Sequence, residues 1–160
     1  MTTLEYQTQR RSAALPQVTD EFILELRTRM ARNPALPIRP LTGAEVAVAV
    51  RYALDEDQDL PLDLSAMKRI VIDPAGRTAR VQPGVTPAEL EQAAFRWGLA
   101  PLSDRHGLVL ANLIAAHVVL PDGGLVEADA ELLREIRTGR ALGTVVDATY
   151  RLHSAAELQR

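Results

Sequence analysis

IVIDPAGRTARVQPGVTPAEL, residues 70–90, is the stretch that decides the fold of this chain. Residues 70–73 and 78–82 carry the patterns of two short strands, and the Pro-Ala-Gly sequence at 74–76 is typical of the turn between them. The Thr-Pro-Ala-Glu sequence at 86–89 supplies an N-cap, a proline at the first helical position and the acidic member of a capping box. The stretch therefore predicts a β-hairpin that leads directly into a helix, which indicates an α+β fold.

The pattern continues downstream of the hairpin. The helix that starts after Thr86 is predicted to end at Gly98. Its apolar stripe is predicted to consist of Leu90, Ala93, Ala94 and Trp97. Further elements follow in the order strand, tight turn, strand, helix and strand, at residues 113–120, 121–124, 125–128, 131–137 and 144–152. The last strand alternates, so that Val146, Ala148, Tyr150 and Leu152 share one face.

Two helices are predicted upstream. The first covers residues 20–32, with Thr19 as its N-cap, and a short edge strand at 36–39 follows it. The second begins after Thr42, with Glu45 completing a capping box, and ends at the acidic run 55–59. Their apolar faces are predicted to contain Phe22, Ile23, Leu26 and Met30 in the first helix, and Val46, Val50 and Leu54 in the second.

Composition excludes several classes of function. The 160 residues carry a net charge of −3 with scattered arginines, which argues against a nucleic-acid-binding protein. There is no cysteine, hence no disulfide, thiol nucleophile or Cys-zinc site, and the three widely spaced histidines make a metal site improbable. No apolar run approaches a bilayer span, and the N-terminal residues lack the apolar core of a signal peptide. We therefore expect a cytoplasmic protein, and the richness in Ala, Arg, Leu and Pro suggests a bacterial source.

Three segments in chain order, and a closing stretch after them, resemble the flavin-binding half of the vanillyl-alcohol-oxidase superfamily, most closely the berberine-bridge-like oxidases. The first is RPLTGAEV at 39–46, the second runs from DLSAM at 63–67 to VQPGVT at 81–86, and the third contains GL, NL and VLPDG within 107–123. The closing stretch contains LGTVV and YRLH within 142–153. The resemblance implies a reduced PCMH-type FAD-binding fold, with two small α/β subdomains, at about 36–83 and about 84–153, and mixed sheets flanked by helices. The polar, aperiodic residues 1–18 predict a flexible tail, and the chain length predicts a single domain over 19–160.

The departures from that family concern its cofactor loops. In the family, a Gly-rich loop that holds the FAD diphosphate lies between the first domain helix and the DLS strand, whereas here residues 53–63 read ALDEDQDLPLD. A second Gly-rich stretch is reduced to LAPLSDRH at 99–106, a third to RTGRALG at 137–143, and the family's substrate domain has no counterpart. Since a diphosphate needs inward-pointing N–H donors, which glycines bring close, we expect that the chain uses no cofactor.

The remaining polar residues give the candidate sites. Asp104, Arg105 and His106 would supply an acid, a cation for an anionic oxygen and a general base, and His117 lies within an apolar strand. These four are the candidate catalytic residues, and the candidate substrate-binding residues are Tyr52, Trp97, Asn112, Arg137 and Arg140. Each has a structural alternative: a polar surface loop for 104–106, a structural histidine at 117, packing for the aromatics and a solvated pair for the arginines.

Three classes of function stay open on this sequence. The first is a cofactor-free enzyme of natural-product metabolism that folds a small-molecule substrate in the vacated flavin cleft for ring closure. The second is a binding or assembly module, either a homodimer or a partner of another enzyme, that uses the face left by the missing substrate domain. The third is an FAD-dependent oxidoreductase fragment completed by a partner chain. We expect the first, with no nucleic-acid or membrane partner.

Overall fold

The computed structural model describes residues 18–33, 35–104 and 107–158. The chain divides into two compact units. Unit 1 comprises Met1–Ala66, His117–Glu127 and Leu142–Val146, and unit 2 comprises Met67–Ala116, Ala128–Ala141 and Asp147–Arg160. The predicted flexible tail lies outside the described residues, apart from Val18.

The described chain contains five α-helices and nine strands. The α-helices are α1 Asp20–Arg32, α2 Gly43–Asp55, α3 Pro87–Phe95, α4 Ala130–Arg137 and α5 Ala155–Leu158. The strands are β1 Ile70–Asp73, β2 Thr78–Val81, β3 Leu99–Ala100, β4 Ser103–Asp104, β5 Gly107–Leu108, β6 Leu113–Val119, β7 Leu125–Glu127, β8 Thr144–Arg151 and β9 His153–Ser154. A single 3₁₀ turn, Leu110–Asn112, precedes β6. This content confirms the predicted α+β class.

The hairpins β1–β2 and β6–β7 and the pair β2–β8 are antiparallel. The main sheet has the order β1-β2-β8-β6-β7, and β3 pairs with β9 and β4 with β5 in two small sheets. In the hairpin that opened the sequence analysis, Ile70 lies opposite Val81 and Asp73 opposite Thr78. Strand β2 then pairs with β8 from Thr78↔Arg151 to Val81↔Ala148. Because side chains alternate along a strand, this register places Ala79 and Val81 on the face that also holds Ala148 and Leu152.

The core of unit 1 forms where α1 packs against α2. The hydroxyl of Thr19 accepts a hydrogen bond from Phe22 N at 3.3 Å and starts α1, and Phe22, Leu26 and Met30 are buried along that helix. With Ile38 and Ala49 they form one apolar cluster, against which Tyr52, Leu60 and Leu62 pack. Full burial of a side chain of this size stabilises the fold by about 1.5–3 kcal/mol. The helical spacing of Phe22, Leu26 and Met30 places all three on one face of α1, where they form this core.

The core of unit 2 forms between the hairpin and α3. Its buried residues are Ala79, Val81, Leu90, Ala94, Leu99 and Leu152. The capping box predicted for α3 is present: Glu89 N donates to the hydroxyl of Thr86 at 3.2 Å, and Thr86 N donates to the Glu89 carboxylate at 3.2 Å. Because the hairpin packs on α3, residues 67–83 belong to the same compact unit as the helix. The units thus follow other boundaries than the subdomains predicted at 36–83 and 84–153.

Two details of the predicted helices were wrong. Leu54 is exposed on α2, where Val46, Ala47 and Ala49 are the buried residues. Trp97 follows the end of α3 and is 58% exposed, because the helix stops at Phe95 and the apolar stripe stops with it. In the hairpin turn, Arg77 has a positive φ, of 53°.

No helix in the part of the chain that the structure describes is long and apolar enough to cross a membrane.

Candidate functional site

Unit 2 contains a cavity with a volume of about 550 Å³. It is lined by Val85, Pro87, Asp104, Leu108, Val109, Leu110 and Tyr150. Five of these side chains are apolar, and Asp104 and Tyr150 supply the polar groups. Pockets that bind small molecules have volumes of roughly 300–1,000 Å³ and this kind of apolar wall with a few polar groups. The volume of the cavity, which is broadly open to solvent, lies within that range, and its lining combines apolar side chains with two polar groups.

Tyr150 is the half-buried polar group of this cavity. It lies in β8, directly opposite Ala79 of β2. The pairing of these two strands therefore fixes the position of its backbone and the face of the sheet from which its side chain projects. Burial raises the pKa of the Tyr150 phenol above its usual value of 10.0. The phenol therefore stays protonated at neutral pH and can donate a hydrogen bond to a bound molecule.

Asp104 lies on the exposed side of the cavity. It is in β4, directly opposite Gly107 of β5, and it is the one predicted catalytic residue that lines this cavity among the residues described. Its neighbours Arg105 and His106, predicted to act with it, lie outside the described residues. Of the three catalytic residues predicted in this loop, the structure therefore describes Asp104 alone.

The opposite wall is held by the start of α3. Val85 and Pro87 flank the N-cap of α3, and Lys68 reaches the Glu89 carboxylate across 3.0 Å. The ammonium of Lys68, followed by hydrogen bonds from Thr86, lowers the pKa of Glu89. Because the capping box and the ion pair share this one carboxylate, they fix the backbone that carries the wall.

A polar cluster at the start of β6 contains a histidine that the sequence analysis did not select. Nε2 of His153 lies 3.3 Å from Oδ1 of Asn112, and the guanidinium of Arg137 donates to the carbonyl oxygen of Leu113. Two predicted substrate-binding residues, Asn112 and Arg137, are thus brought to adjacent positions. Both contacts tie chain segments together. The signal that could have revealed His153 is its place in the β9 register opposite Ala100, but a two-residue strand gives no sequence periodicity.

The other predicted site residues are placed apart from the unit 2 cavity. His117 is half-buried in β6, opposite Glu127 of β7, and belongs to unit 1. Tyr52, also in unit 1, packs against the core cluster of α1 and α2, which favours its structural alternative. Arg140 is exposed, and its backbone N–H donates to Glu135 O at 2.9 Å. Exposed Trp97 lies on the surface of unit 2.

Unit 1 has a second cavity, with a volume of about 420 Å³, at the C-terminal end of α2. Its wall contains Ala49, Val50, Ala53, Leu54, Asp57, Gln58, Asp59, Leu60, Leu62 and Pro121. Three consecutive N–H groups of the segment after α2 donate back to the helix: Glu56 to Tyr52 O, Asp57 to Leu54 O and Gln58 to Ala53 O, at 3.0, 3.2 and 2.9 Å. The wall therefore presents carboxylates and the negative end of a helix, with those donors already used.

Beyond this cavity, the chain is anchored by Asp63. Ser65 N and Arg39 Nε donate to its carboxylate at 3.0 and 2.8 Å. Hydrogen bonds from Ser65, followed by that from Arg39, lower the pKa of Asp63 to about 2. Ile38 forms a parallel bridge with Leu62 at the same place, so the segment that leaves the acidic run is tied to the residues before α2.

Among the described residues, no group of three or more His, Asp or Glu side chains is arranged to hold a metal ion.

Comparison with known proteins gives a consistent family. The family described as FAD binding domain matches residues 14–103. The (R)-6-hydroxynicotine oxidase of Paenarthrobacter nicotinovorans is 33% identical over 97 residues, which covers 49% of this chain and 21% of that protein. The FAD-linked oxidoreductase srdI of Neurospora crassa is 26% identical over 170 residues, covering 89% of this chain and 33% of that protein.

Solved structures agree on the fold. The 6-hydroxy-D-nicotine oxidase of Arthrobacter nicotinovorans matches with a TM-score of 0.65 at 24% identity, over 72% of this chain and 36% of that one. Berberine bridge enzyme from Eschscholzia californica matches with a TM-score of 0.65 at 16% identity, over 84% and 39%. The present chain thus spans between 21% and 39% of the length of each of these proteins, and what it shares with the two solved structures is part of the PCMH-type fold.

Proposed function

This chain belongs to the FAD binding domain family of FAD-linked oxidoreductases, and we propose that it binds a small, largely apolar organic molecule without holding FAD itself. The observation that carries the proposal is the cavity of unit 2, with apolar walls, the carboxylate of Asp104 and the neutral phenol of Tyr150. A molecule there would bury apolar surface and accept one hydrogen bond from Tyr150.

The diphosphate of FAD does not fit the described residues after α2. Such a group carries two negative charges and needs several convergent N–H donors, commonly at the N-terminal end of a helix. This segment offers the C-terminal end of α2 instead, with Asp57 and Asp59 on the cavity wall. Its N–H groups at 56–58 already donate to carbonyl oxygens of α2. Charge and donor geometry therefore both oppose the group.

If the bound molecule reacts, a non-redox step such as ring closure suits this site best. Holding the two ends of a flexible molecule close together lowers the barrier to their reaction without strong acids or bases. Asp104 and Tyr150 are the groups that would orient the substrate. This reaction class is the finer part of the proposal, and activity on a flexible, polyketide-like substrate is what tests it.

The binding step is tested by thermal-shift measurements against a set of apolar aromatic and polyketide-like molecules. Leu110→Glu places a charge on the cavity wall and should abolish the shift that a hit produces. Leu142→Glu is the matched control, since Leu142 is 75% exposed and is on the wall of neither cavity. A hit that stabilises both variants equally would place the binding site elsewhere, and a complete absence of hits would reject the proposal.

The second candidate is an FAD-linked oxidoreductase that a partner chain completes. The relatives' names favour it, because all four similar proteins are oxidases or FAD-linked oxidoreductases. Phe95 and Trp97, 67% and 58% exposed, are aromatic residues of the kind enriched at protein interfaces, and this surface would receive the partner. Size-exclusion chromatography shows whether the chain forms a homodimer or is a monomer that awaits another protein, and a yellow complex with a partner would favour this candidate over the first.

A further inference from the structure

The start of each long helix in the described chain is occupied by the chain's own oxygen atoms. In each of the four helices with at least eight residues, a Thr or Asp side chain accepts a hydrogen bond from a first-turn N–H group. The four N-cap residues are Thr19, Thr42, Thr86 and Asp129. Each of these helices also has an acidic residue in its first turn. These are the positions at which backbone donors and the helix dipole would favour a phosphate.

At two helix starts the carboxylate takes a further donor. Glu45 accepts from Leu41 N at 3.0 Å, one residue earlier than in a capping box. Glu89 accepts from Thr86 N and from Lys68 Nζ. A phosphate at either place would have to displace an internal carboxylate that is already bonded.

In two turns, a glycine N–H group is likewise bound by a carboxylate of the chain. Gly76 N donates to the carboxylate of Asp73 at 3.0 Å, and Gly124 N donates to the carboxylate of Asp122 at 2.8 Å. Glycine N–H groups in such turns are the other common donors for phosphate, since the absence of a side chain lets an anion approach. Here an aspartate of the same turn binds them.

We infer that, in the residues described, the chain's own side-chain oxygens occupy the capped helix starts and these two glycine turns, and that the chain therefore selects against diphosphate-bearing ligands, its family's cofactor included. The inference deepens the proposed function, because it restricts the bound molecule to neutral or cationic organic compounds. It comes from the pairing of each donor group, described above, and from the acidic cavity wall in unit 1.

Equilibrium dialysis of the purified chain against three probes tests this inference. The probes are FAD, riboflavin (the same flavin without diphosphate and adenosine) and ADP (the diphosphate without flavin). We expect ADP not to be retained and FAD to be bound no more tightly than riboflavin. Retention of FAD at least about tenfold tighter than riboflavin, or stoichiometric retention of ADP, would overturn the inference.

Two double variants separate charge from donor geometry. Asp57→Asn with Asp59→Asn neutralises the cavity wall of unit 1, and Asp55→Asn with Glu56→Gln removes the same charge from exposed neighbours that do not line it. We expect neither to gain ADP binding, because the N–H groups at 56–58 still donate to α2. ADP binding gained by the Asp57→Asn, Asp59→Asn variant alone would show that the negative charge of these two side chains, and not a lack of available N–H donors, excludes ADP. That result would contradict the inference.

Failure here and failure of the proposed function can be told apart. A chain that retains ADP but not FAD overturns the present inference alone. A chain that retains FAD overturns this inference and the FAD-free part of the proposed function, and the thermal-shift screen then tests the binding of an apolar molecule separately. A chain that refuses all three probes and also responds to no apolar compound keeps this inference and loses the proposed function.

Discussion

Gly143 lies where β8 begins, and replacing it with alanine is expected to be the most destabilising single-methyl change among the described glycines. Its φ of +105° is a conformation that residues with a Cβ rarely adopt. An added Cβ would lie 2.5 Å from the carbonyl oxygen of Val119 and 3.2 Å from Cα of Leu120. Both atoms belong to backbone, which cannot rotate away as a flexible side chain can.

The expected magnitude is the sum of two effects. Forcing an L-residue into a positive φ costs about 1–2 kcal/mol. Inserting a methyl group into a filled space costs about 1–3 kcal/mol more, because Val119 and Leu120 must move. The free energy of unfolding should therefore fall by about 2–5 kcal/mol. For a chain of this length each kcal/mol lowers Tm by roughly 2–4 °C.

Gly139→Ala provides the matched control. Gly139 has a positive φ of +71°, but nothing lies within 4 Å of an added Cβ. This variant should lose only the conformational term, about 1–2 kcal/mol. Both variants are compared by urea unfolding followed by far-UV circular dichroism. Equal losses in the two variants would refute the reasoning, since the clash with Val119 would then contribute nothing.

Three further predictions concern the core of unit 2, the effect of acid and the role of Tyr150 in binding. Leu90→Ala, which empties the core of unit 2, should lower the unfolding free energy by about 2–5 kcal/mol, whereas Trp97→Ala at an exposed site should stay within about 0.5 kcal/mol, both measured by urea unfolding. The pKa of Asp63 is lowered to about 2 in the fold, so the stability that the charged carboxylate contributes is present above pH about 4 and is lost as the pH falls toward 2. Asp63→Asn should therefore lose less unfolding free energy over that pH interval than wild type. The same dependence of stability on pH in both proteins would contradict this. Tyr150→Phe should weaken binding of any carbonyl-bearing hit of the thermal-shift screen by about 0.5–1.5 kcal/mol and leave a hydrocarbon hit unchanged, as measured by calorimetry.

The local elements could be predicted because their signals are local. Thr19, Thr42 and Thr86 cap helices as predicted, and the predicted hairpin forms between residues 70–73 and 78–81. Each of these features depends on residues within a few positions of one another. The resemblance to the flavin-binding fold rested on short motifs in the right order, and the family match confirms it.

What failed depends on distant partners. Leu54 fits the helical period of α2 but is exposed, because Val46, Ala47 and Ala49 form the buried face. Strands β3, β4, β5 and β9 have two residues each, too few for any periodicity, so the pairing that brings His153 near Asn112 has no sequence signal.

The candidate site was predicted only in part, for the same reason. Asp104 lines the unit 2 cavity as one of seven residues. The apolar lining comes from the segment at the start of α3, from β5 and from the turn after β5, and Tyr150 comes from β8. Tyr150 was assigned to the apolar face of the last strand. Its role in the cavity depends on where that face lies. The pairing of β8 with β2 decides this, and the local sequence does not.

The visible spectrum of the purified chain, recorded before and after incubation with excess FAD and removal of free ligand, tests the central claim most directly. That claim is that the flavin-domain fold is kept while its backbone donors are bound by the chain's own carboxylates and carbonyls. The account predicts a folded, colourless protein in both spectra. A stoichiometric flavin band in either one would contradict it.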